Sequence, residues 1–180
     1  TEELDAFHLT DFVDDVKDVM LESRHRSYPI LDENDKVVGT ISRYHLLKPR
    51  RKRVVLVDHN EMSQSVPGLE QADILEIIDH HRIGSLETTG PVYFRNVPVG
   101  CTATILYQMY GEQGLTPSRE IAGLLLSAIL SDTLVFRSPT STPQDEAAAK
   151  ALAALAGDDI QSYAEQMFEA GADLTGRTAE

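Results

Sequence analysis

Hydrophobic and polar positions follow two different patterns along this chain, and the pattern changes near residue 50. Apolar residues at 12, 13, 16, 19 and 20 recur with helical spacing, and Thr10 precedes them as a candidate N-cap. Tyr28–Leu31 and Lys36–Ser42 are typical of short strands, and the polar residues between them are typical of a turn. A short helix follows at Arg43–Leu47. The pattern predicts a small α/β unit, helix–strand–turn–strand–helix, over residues 1–48.

Basic residues crowd the boundary between the two patterns. Lys48, Arg50, Arg51, Lys52 and Arg53 surround Pro49. A polar stretch of this kind with a proline favours a linker, which we place at 49–53. The alternative is a solvated basic turn within one domain.

Beyond residue 53 the apolar residues form runs without alternation at Val54–Val57 and at Ile74–Ile78, and Val92–Val97 is predicted as a third strand. Runs without alternation are typical of parallel strands covered on both faces. Helices are predicted after them, with Thr142-Pro143 as an N-terminal signal and Gly157 and Gly171 as C-caps. The predicted helices are Cys101–Glu112, Pro117–Leu130, Pro143–Ala156 and Asp159–Ala170. The pattern predicts an α/β fold with a mostly parallel sheet flanked by helices.

Composition narrows the class of protein. The 180 residues include 16 lysines and arginines against 29 aspartates and glutamates, a net charge of −13, which argues against nucleic acid as a partner. The single cysteine, Cys101, excludes an internal disulfide, and we expect it to be a packing residue. No apolar stretch is long enough to cross a membrane, so we expect a cytoplasmic protein without a membrane partner.

Candidate ligand residues follow the predicted strands. Asp58-His59 and Asp79-His80-His81 stand at two strand ends, where ligands bind in open parallel sheets, and Asp132 follows a helix. Asp58, His80 and Asp132 could converge on one rim, and mixed carboxylate and imidazole ligands suit Mn²⁺, Fe²⁺, Co²⁺ or Zn²⁺. The alternative is that each aspartate is only a cap or turn residue.

These strand-end motifs resemble those of the DHH phosphoesterase superfamily. The ordered set is similar to that of the manganese-dependent (family II) inorganic pyrophosphatases, and the resemblance runs from Arg53 to Leu174. The motifs that carry it are Val57–Glu61 (VDHNE), Ile78–Arg82 (IDHHR), Pro98–Thr104 (PVGCTAT) and Ser127–Thr133 (SAILSDT), followed by Phe136 and Ser138–Thr140.

The resemblance implies a role for each matching residue. Asp58, His80 and Asp132 would bind Mn²⁺, with Co²⁺ or Mg²⁺ as possible substitutes, and Asp58 would bridge two ions. His81 would contact a phosphate oxygen of pyrophosphate, which makes Asp58 and His81 the expected catalytic residues. Asp79 would orient the imidazoles from behind, and His59 would support the same rim. The implied reaction is attack of a metal-activated hydroxide on pyrophosphate, giving two phosphates.

The N-terminal unit resembles a CBS module over Leu9–Leu47, the second of a pair and possibly incomplete. The resemblance implies an adenine nucleotide effector, AMP or ADP, bound at Ser42, Arg43 and Tyr44. His45 stands where many CBS modules have a ribose-binding aspartate. The alternative is that Arg43 is solvated and Tyr44 only begins a helix. The family resemblance also implies a homodimer, formed through the CBS module, the DHH domain or both.

The sequence also departs from the family pattern. It has no H-x-x-x-D-x-D motif and no second, substrate-gripping domain. We therefore expect an internal fragment, inactive alone, with a DHH catalytic domain at 54–174 and the start of an interdomain linker at 175–180. Two other functions stay open: a DHH phosphoesterase acting on oligonucleotides or cyclic dinucleotides, and a non-catalytic module that binds nucleotide or metal.

Overall fold

The computed structural model describes residues 5–47 and 51–172. The chain divides into two compact units, Thr1–Lys52 with Pro67–Ala72, and Arg53–Val66 with Asp73–Glu180. Part of the expected linker, residues 49 and 50, lies outside the described residues, as do 173 and 174 and the expected interdomain linker at 175–180. Each unit is described by itself.

The first unit has a three-stranded sheet of order β1-β2-β3, in which β1 and β2 are parallel and β2 and β3 antiparallel. Its core consists of Phe7, Val16, Met20 and Tyr28. The predicted order of elements is present, with an additional two-residue strand, β1, at the start. The elements are β1 (Phe7–His8), α1 (Val13–Glu22), β2 (Ser27–Leu31), β3 (Val37–Ser42) and α2 (Arg43–Leu47).

The prediction that Thr10 caps the first helix is wrong. Thr10 lies in a turn in which the Asp11 N–H donates to the carbonyl of His8, 3.1 Å, and the Asp11 carboxylate accepts from the His8 N–H, 2.8 Å. This turn uses the polar groups before the helix, so α1 begins two residues later. Its N-cap is Phe12, which makes no side-chain capping bond.

The second unit has a parallel sheet of order β4-β5-β6, which confirms the predicted parallel arrangement. Its strands are β4 (Arg53–Val57), β5 (Asp73–Asp79) and β6 (Tyr93–Asn96). Arg53, expected in the linker, is the first residue of β4. The expectation that both faces are covered is wrong for β4, because Val55 and Val57 are exposed while Leu56 is buried.

The described part of the second unit also has four α-helices: α3 (Thr102–Glu112), α4 (Arg119–Asp132), α5 (Pro143–Ala156) and α6 (Ile160–Ala172). Helix α4 begins at Arg119 because the Ser118 hydroxyl caps it, and it ends at Asp132. Thr142 and Gly157 cap α5 as predicted. Gly171 is not a C-cap, because α6 continues through it to Ala172. Small and aliphatic side chains of these helices form the largest described core: Ala122, Leu126, Ile129, Leu130, Ala149, Leu152 and Ala153.

A left-handed turn follows α4. Leu134, Val135 and Phe136 have φ angles of 50°, 54° and 63°, in the region that is costly for residues with a Cβ. The buried Thr133 hydroxyl supports this turn by donating to the Ile129 carbonyl, 2.6 Å, and accepting from the Phe136 N–H, 3.2 Å.

No helix among the described residues is both long enough and apolar enough to span a membrane.

The fully buried carboxylate of Asp145 connects α5 to the loop before α3. One oxygen accepts from the Thr104 hydroxyl, 2.6 Å, and the other from the Gly100 N–H, 2.8 Å, and from the Thr142 N–H and hydroxyl. A Cβ on Gly100 would lie 2.9 Å from this carboxylate, so only glycine allows the approach. Burial alone would raise the pKa of Asp145, but hydrogen bonds from Thr104, Thr142 and Gly100 outweigh it and lower the pKa.

We expect Asp145→Asn to lower the free energy of unfolding by about 3 kcal/mol at neutral pH, because an amide cannot accept all of these hydrogen bonds. The lowered pKa makes this contribution fully present above the unfolded value of about 3.9, and it is lost as the pH falls through the folded pKa. Denaturant unfolding of wild type and variant across acid pH measures the difference between them. Asp158→Asn, at an exposed carboxylate, is the matched control. If the difference in unfolding free energy between wild type and Asp145→Asn persists unchanged in acid, the stabilising role assigned to the ionised Asp145 carboxylate is contradicted.

Candidate metal centre

Two neighbouring parallel strands bring the candidate ligands to one edge of the sheet. Asp58 follows β4, with a φ of 69° and its N–H bonded to the Ile78 carbonyl, 2.9 Å. His80 and His81 follow β5. One potential ligand atom from each of Asp58, His80 and His81 lies within 4.8 Å of the others. Parallel pairing of β4 with β5 produces this convergence, since both strands end at the same edge.

The His80 ring is held by a backbone carbonyl. Its Nδ1 lies 2.9 Å from the carbonyl oxygen of Val99, which only accepts, so Nδ1 carries the proton. In the neutral ring, Nε2 then has a free lone pair, 3.5 Å from Oδ1 of Asp58. Two acceptors at this separation repel unless a proton or a cation lies between them. The arrangement therefore favours a cation at this point.

The His81 ring is held by Asp79. Its Nδ1 lies 2.7 Å from Asp79 Oδ1, an oxygen that also accepts the backbone N–H groups of His80 and His81. Asp79 is fully buried, whereas the His81 side chain is 51% exposed. Burial would raise the pKa of Asp79, but hydrogen bonds from His81 and Asn60 outweigh it and lower the pKa. The carboxylate accepts the Nδ1–H of His81, so the lone pair of the neutral ring is on Nε2. Of the two imidazoles, Asp79 contacts only that of His81.

Thr102 is a contact that sequence reasoning missed. Its buried hydroxyl donates to Oδ1 of Asp58, 2.7 Å. Thr102 is the first residue of α3, so Asp58 also lies near the positive end of a helix, which stabilises a carboxylate. The signal was present in the sequence, because Thr102 falls in the PVGCTAT motif at a predicted helix start.

Asp132 lies beside Cys101 and is not one of the three converging residues, Asp58, His80 and His81. The pKa of the buried Cys101 thiol is raised, first by burial, then by the neighbouring Asp132 carboxylate and by the charge of Asp58. The thiol thus lies within the influence of both aspartates and stays protonated, in keeping with a packing residue. The assignment of Asp132 as a metal ligand stays a prediction.

The remaining candidates have contacts of their own. His59 Nδ1 lies 3.1 Å from the Val57 carbonyl.

In the first unit, Ser42 contacts His45 Nδ1 through its N–H, 3.0 Å, and its hydroxyl, 2.9 Å. Arg43 donates to the carbonyls at the end of α1, namely Met20, 2.8 Å, and Ser23, 2.6 Å. The Tyr44 side chain is exposed. The roles predicted for Ser42, Arg43, Tyr44 and His59 stay predictions.

The donor set fits a divalent transition metal. One carboxylate and two imidazoles with free Nε2 atoms provide the oxygen and nitrogen ligands that Mn²⁺, Co²⁺ and Zn²⁺ accept. Each imidazole is oriented by a hydrogen bond on its other nitrogen, as is usual for metal-bound histidines.

We expect Thr102→Val to weaken Mn²⁺ binding about 10-fold, because the variant keeps the shape of the side chain but loses the bond that orients Asp58. Calorimetric titration of the chain with Mn²⁺ measures this. Thr104→Val is the matched control, since its hydroxyl donates to Asp145 on the same helix. The control should lower thermal stability and weaken Mn²⁺ binding less than Thr102→Val does; equal weakening by both substitutions would contradict a specific role for Thr102.

Comparison with known proteins supports a family assignment. The family model for the DHH family, N-terminal domain, matches residues 8–129. The chain is 52% identical over 175 residues to the cobalt-dependent inorganic pyrophosphatase of Clostridium perfringens, covering 97% of this chain and 32% of that protein. It is 58% identical over 127 residues to a Bacillus mycoides protein named "probable manganese-dependent inorganic pyrophosphatase", covering 71% of this chain and 41% of that protein.

A solved structure from Methanococcus jannaschii, assigned to the family II inorganic pyrophosphatases, matches with a TM-score of 0.63 and 41% identity, covering 67% of this chain and 42% of that one. The chain thus spans only about a third to two fifths of the length of these relatives. The family match, in contrast, extends over more than half of the chain and includes the strand ends that carry Asp58, His80 and His81. On that match, the chain belongs to the DHH family.

Proposed function

We propose that this chain contains the metal-binding core of an inorganic pyrophosphatase that hydrolyses pyrophosphate to two phosphates. The observation that carries the proposal is the convergence of Asp58, His80 and His81, with His80 Nε2 facing the Asp58 carboxylate. The pyrophosphatase names of the relatives support the choice of substrate. Their manganese and cobalt dependence supports a divalent metal, and we take Mn²⁺ as the first choice, with Co²⁺ or Mg²⁺ as substitutes.

In this proposal Asp58, His80 and Asp132 are metal ligands. A bound divalent ion would lower the pKa of a coordinated water and neutralise phosphoryl charge. Asp58 is kept in place by Thr102, and His80 by the Val99 carbonyl. His81 is directed to substrate, where its exposed Nε2 contacts a phosphate oxygen. Asp79 orients His81, and His59 supports the rim from the end of β4.

The space next to His81 offers room for a small anion. A cleft of about 330 Å³ is lined by Asn60, Glu61, Gln64, His81 and Arg82. Arg82 is exposed and paired with Glu61, 2.7 Å. The chain carries a net charge of −13, so a polyanion would be repelled from this carboxylate-bearing rim without a metal ion to compensate the charge.

We expect Mn²⁺ to bind the isolated chain, and Asp58→Asn or His80→Gln to weaken that binding at least about 10-fold. His81→Gln should retain Mn²⁺ but weaken Mn²⁺-dependent binding of pyrophosphate, measured as paramagnetic broadening in phosphorus NMR. Asp132→Asn should weaken Mn²⁺ binding if Asp132 is a ligand. The exposed Asp158→Asn is the matched control, with both affinities unchanged.

Turnover by the isolated chain should be negligible. Among the described residues, Asp58, His80 and His81 converge within reach of one ion, whereas the proposed mechanism uses two ions. Phosphate release at the rate of a full-length relative would contradict this part of the proposal. Failure of pyrophosphate to bind with Mn²⁺ present, or preferential binding of a cyclic dinucleotide, would contradict the proposed substrate.

The first unit is proposed to bind AMP or ADP as a regulatory ligand at Ser42, Arg43 and Tyr44. Tyr44 is 68% exposed, so its ring is available to stack on an adenine. Arg43 donates to two carbonyls at the end of α1, and a nucleotide phosphate would compete with those bonds. Assembly of the whole protein as a cytoplasmic homodimer is part of the same proposal.

We expect Tyr44→Ala to weaken AMP binding about 10-fold in calorimetry, since one base-stacking contact is worth about 1–3 kcal/mol. Tyr44→Phe keeps the ring and should bind AMP as wild type does. Arg43→Ala should weaken AMP binding and also lower the thermal stability of the first unit, because it removes two bonds to α1. Unchanged AMP affinity in Tyr44→Ala and Arg43→Ala would contradict this site.

A further inference from the structure

Asn60 is a buried asparagine in the loop after β4, two residues from Asp58, and its side chain is only 3% exposed. Its amide nitrogen donates to Asp79 Oδ2 and to the carbonyl of Arg82, the latter at 3.0 Å. Its amide oxygen accepts from the Gly84 N–H. Both amide hydrogens and the oxygen are therefore used, and the three bonds reach the last residue of β5 and the segment that follows it.

The backbone near Asn60 is shaped to allow these bonds. A Cβ on Gly84 would lie 3.0 Å from both the backbone and the side-chain oxygen of Asn60, and it would overlap the Glu61 side chain. Glycine at this position lets the chain approach Asn60 closely. The short loop after β4 and the loop after β5 are thus joined through one side chain.

The hydrogen bond from Asn60 to Asp79 determines which of the two Asp79 carboxylate oxygens faces His81. Oδ2 is occupied by Asn60, so Oδ1 is left for the His81 ring and the two backbone N–H groups. A carboxylate held on one side only could rotate about its terminal bond, which has a broad two-fold potential. Rotation would remove the acceptor from His81 Nδ1, and the acceptor is what decides which ring nitrogen carries the proton.

We propose that Asn60 is a positioning residue for His81: it locks the Asp79 carboxylate and thereby keeps the His81 ring in the Nδ1–H form with Nε2 directed into the site. This deepens the proposed function and rests on it for the role of Nε2. Asn60 also lines the cleft next to His81, but its side-chain amide is fully used by Asp79, Arg82 and Gly84. Its effect passes through Asp79.

The test measures the His81 tautomer in the metal-free 180-residue chain with ¹⁵N-labelled histidine, at about pH 8, where an ordinary imidazole is neutral. Wild type should show His81 with its proton on Nδ1. Asn60→Asp removes both donors and places a second carboxylate beside Asp79, and it should give a mixture of tautomers. Asn60→Ser should do so without added charge. Mn²⁺-dependent binding of pyrophosphate should weaken about 10-fold in both variants, as expected when a residue that orients a binding group is lost, while Mn²⁺ affinity stays that of wild type.

Two further variants separate positioning from general stability. Asn96→Ser removes a bond to the backbone carbonyl of His81, 2.7 Å, without touching Asp79, and it should leave the tautomer unchanged. The exchange variant N60D/D79N reverses the polarity of the buried pair while keeping an oxygen toward His81, and it should restore the Nδ1–H form. Circular dichroism of each variant identifies those that fold.

A wild-type tautomer in folded Asn60→Ser, or no recovery in the folded exchange variant, would overturn the proposal. These results do not depend on turnover. If the tautomer responds as expected but pyrophosphate does not bind, the proposed function fails and the positioning role of Asn60 stands.

Discussion

The buried carboxylate of Asp79 is the interaction on which the geometry of the site depends. It is fully shielded from water and accepts hydrogen bonds from the His81 ring, from two backbone N–H groups and from Asn60. An ionised carboxylate in such a place would be costly without these partners. The loop after β5 must therefore fold back over its own aspartate. That requirement fixes the direction of His81 and, through Asn60, the distance to the loop after β4.

Asp145 has a comparable role in the helical part of the second unit. Its bonds to Gly100 and Thr104 fix the start of α3, and its bonds to Thr142 fix the start of α5. The position of α3 in turn brings Thr102 to Asp58. Two buried carboxylates thus support the candidate metal centre: Asp79 orients an imidazole, and Asp145 bonds to the start of the helix whose Thr102 contacts Asp58.

Local signals predicted the regular elements well where nothing distant competed with them. Thr142, Pro143 and Asp145 lie within one helical turn, so the start of α5 could be recognised from the sequence. Thr10 failed as a cap because Asp11 and His8 make a turn that uses the same stretch of chain. The left-handed turn after α4 carries no local signal at all. Val135 is a residue that avoids positive φ, and the turn is supported by the buried Thr133.

The sequence by itself determined a parallel sheet in the second unit and the placement of Asp58, His80 and His81 at strand ends, because continuous apolar runs and the polar residues after them are local patterns. Only the tertiary structure decided which nitrogen of each imidazole faces the site, that Thr102 and Asn60 take part, and that Arg43 bonds to the end of α1. The bonds of His80, Thr102, Asn60 and Arg43 join residues 19 or more positions apart. His81 bonds to Asp79 only two positions away, but that carboxylate is itself held by Asn60, 19 positions away. Such bonds are set by packing, which brings distant segments within 3 Å, and no local pattern encodes that distance.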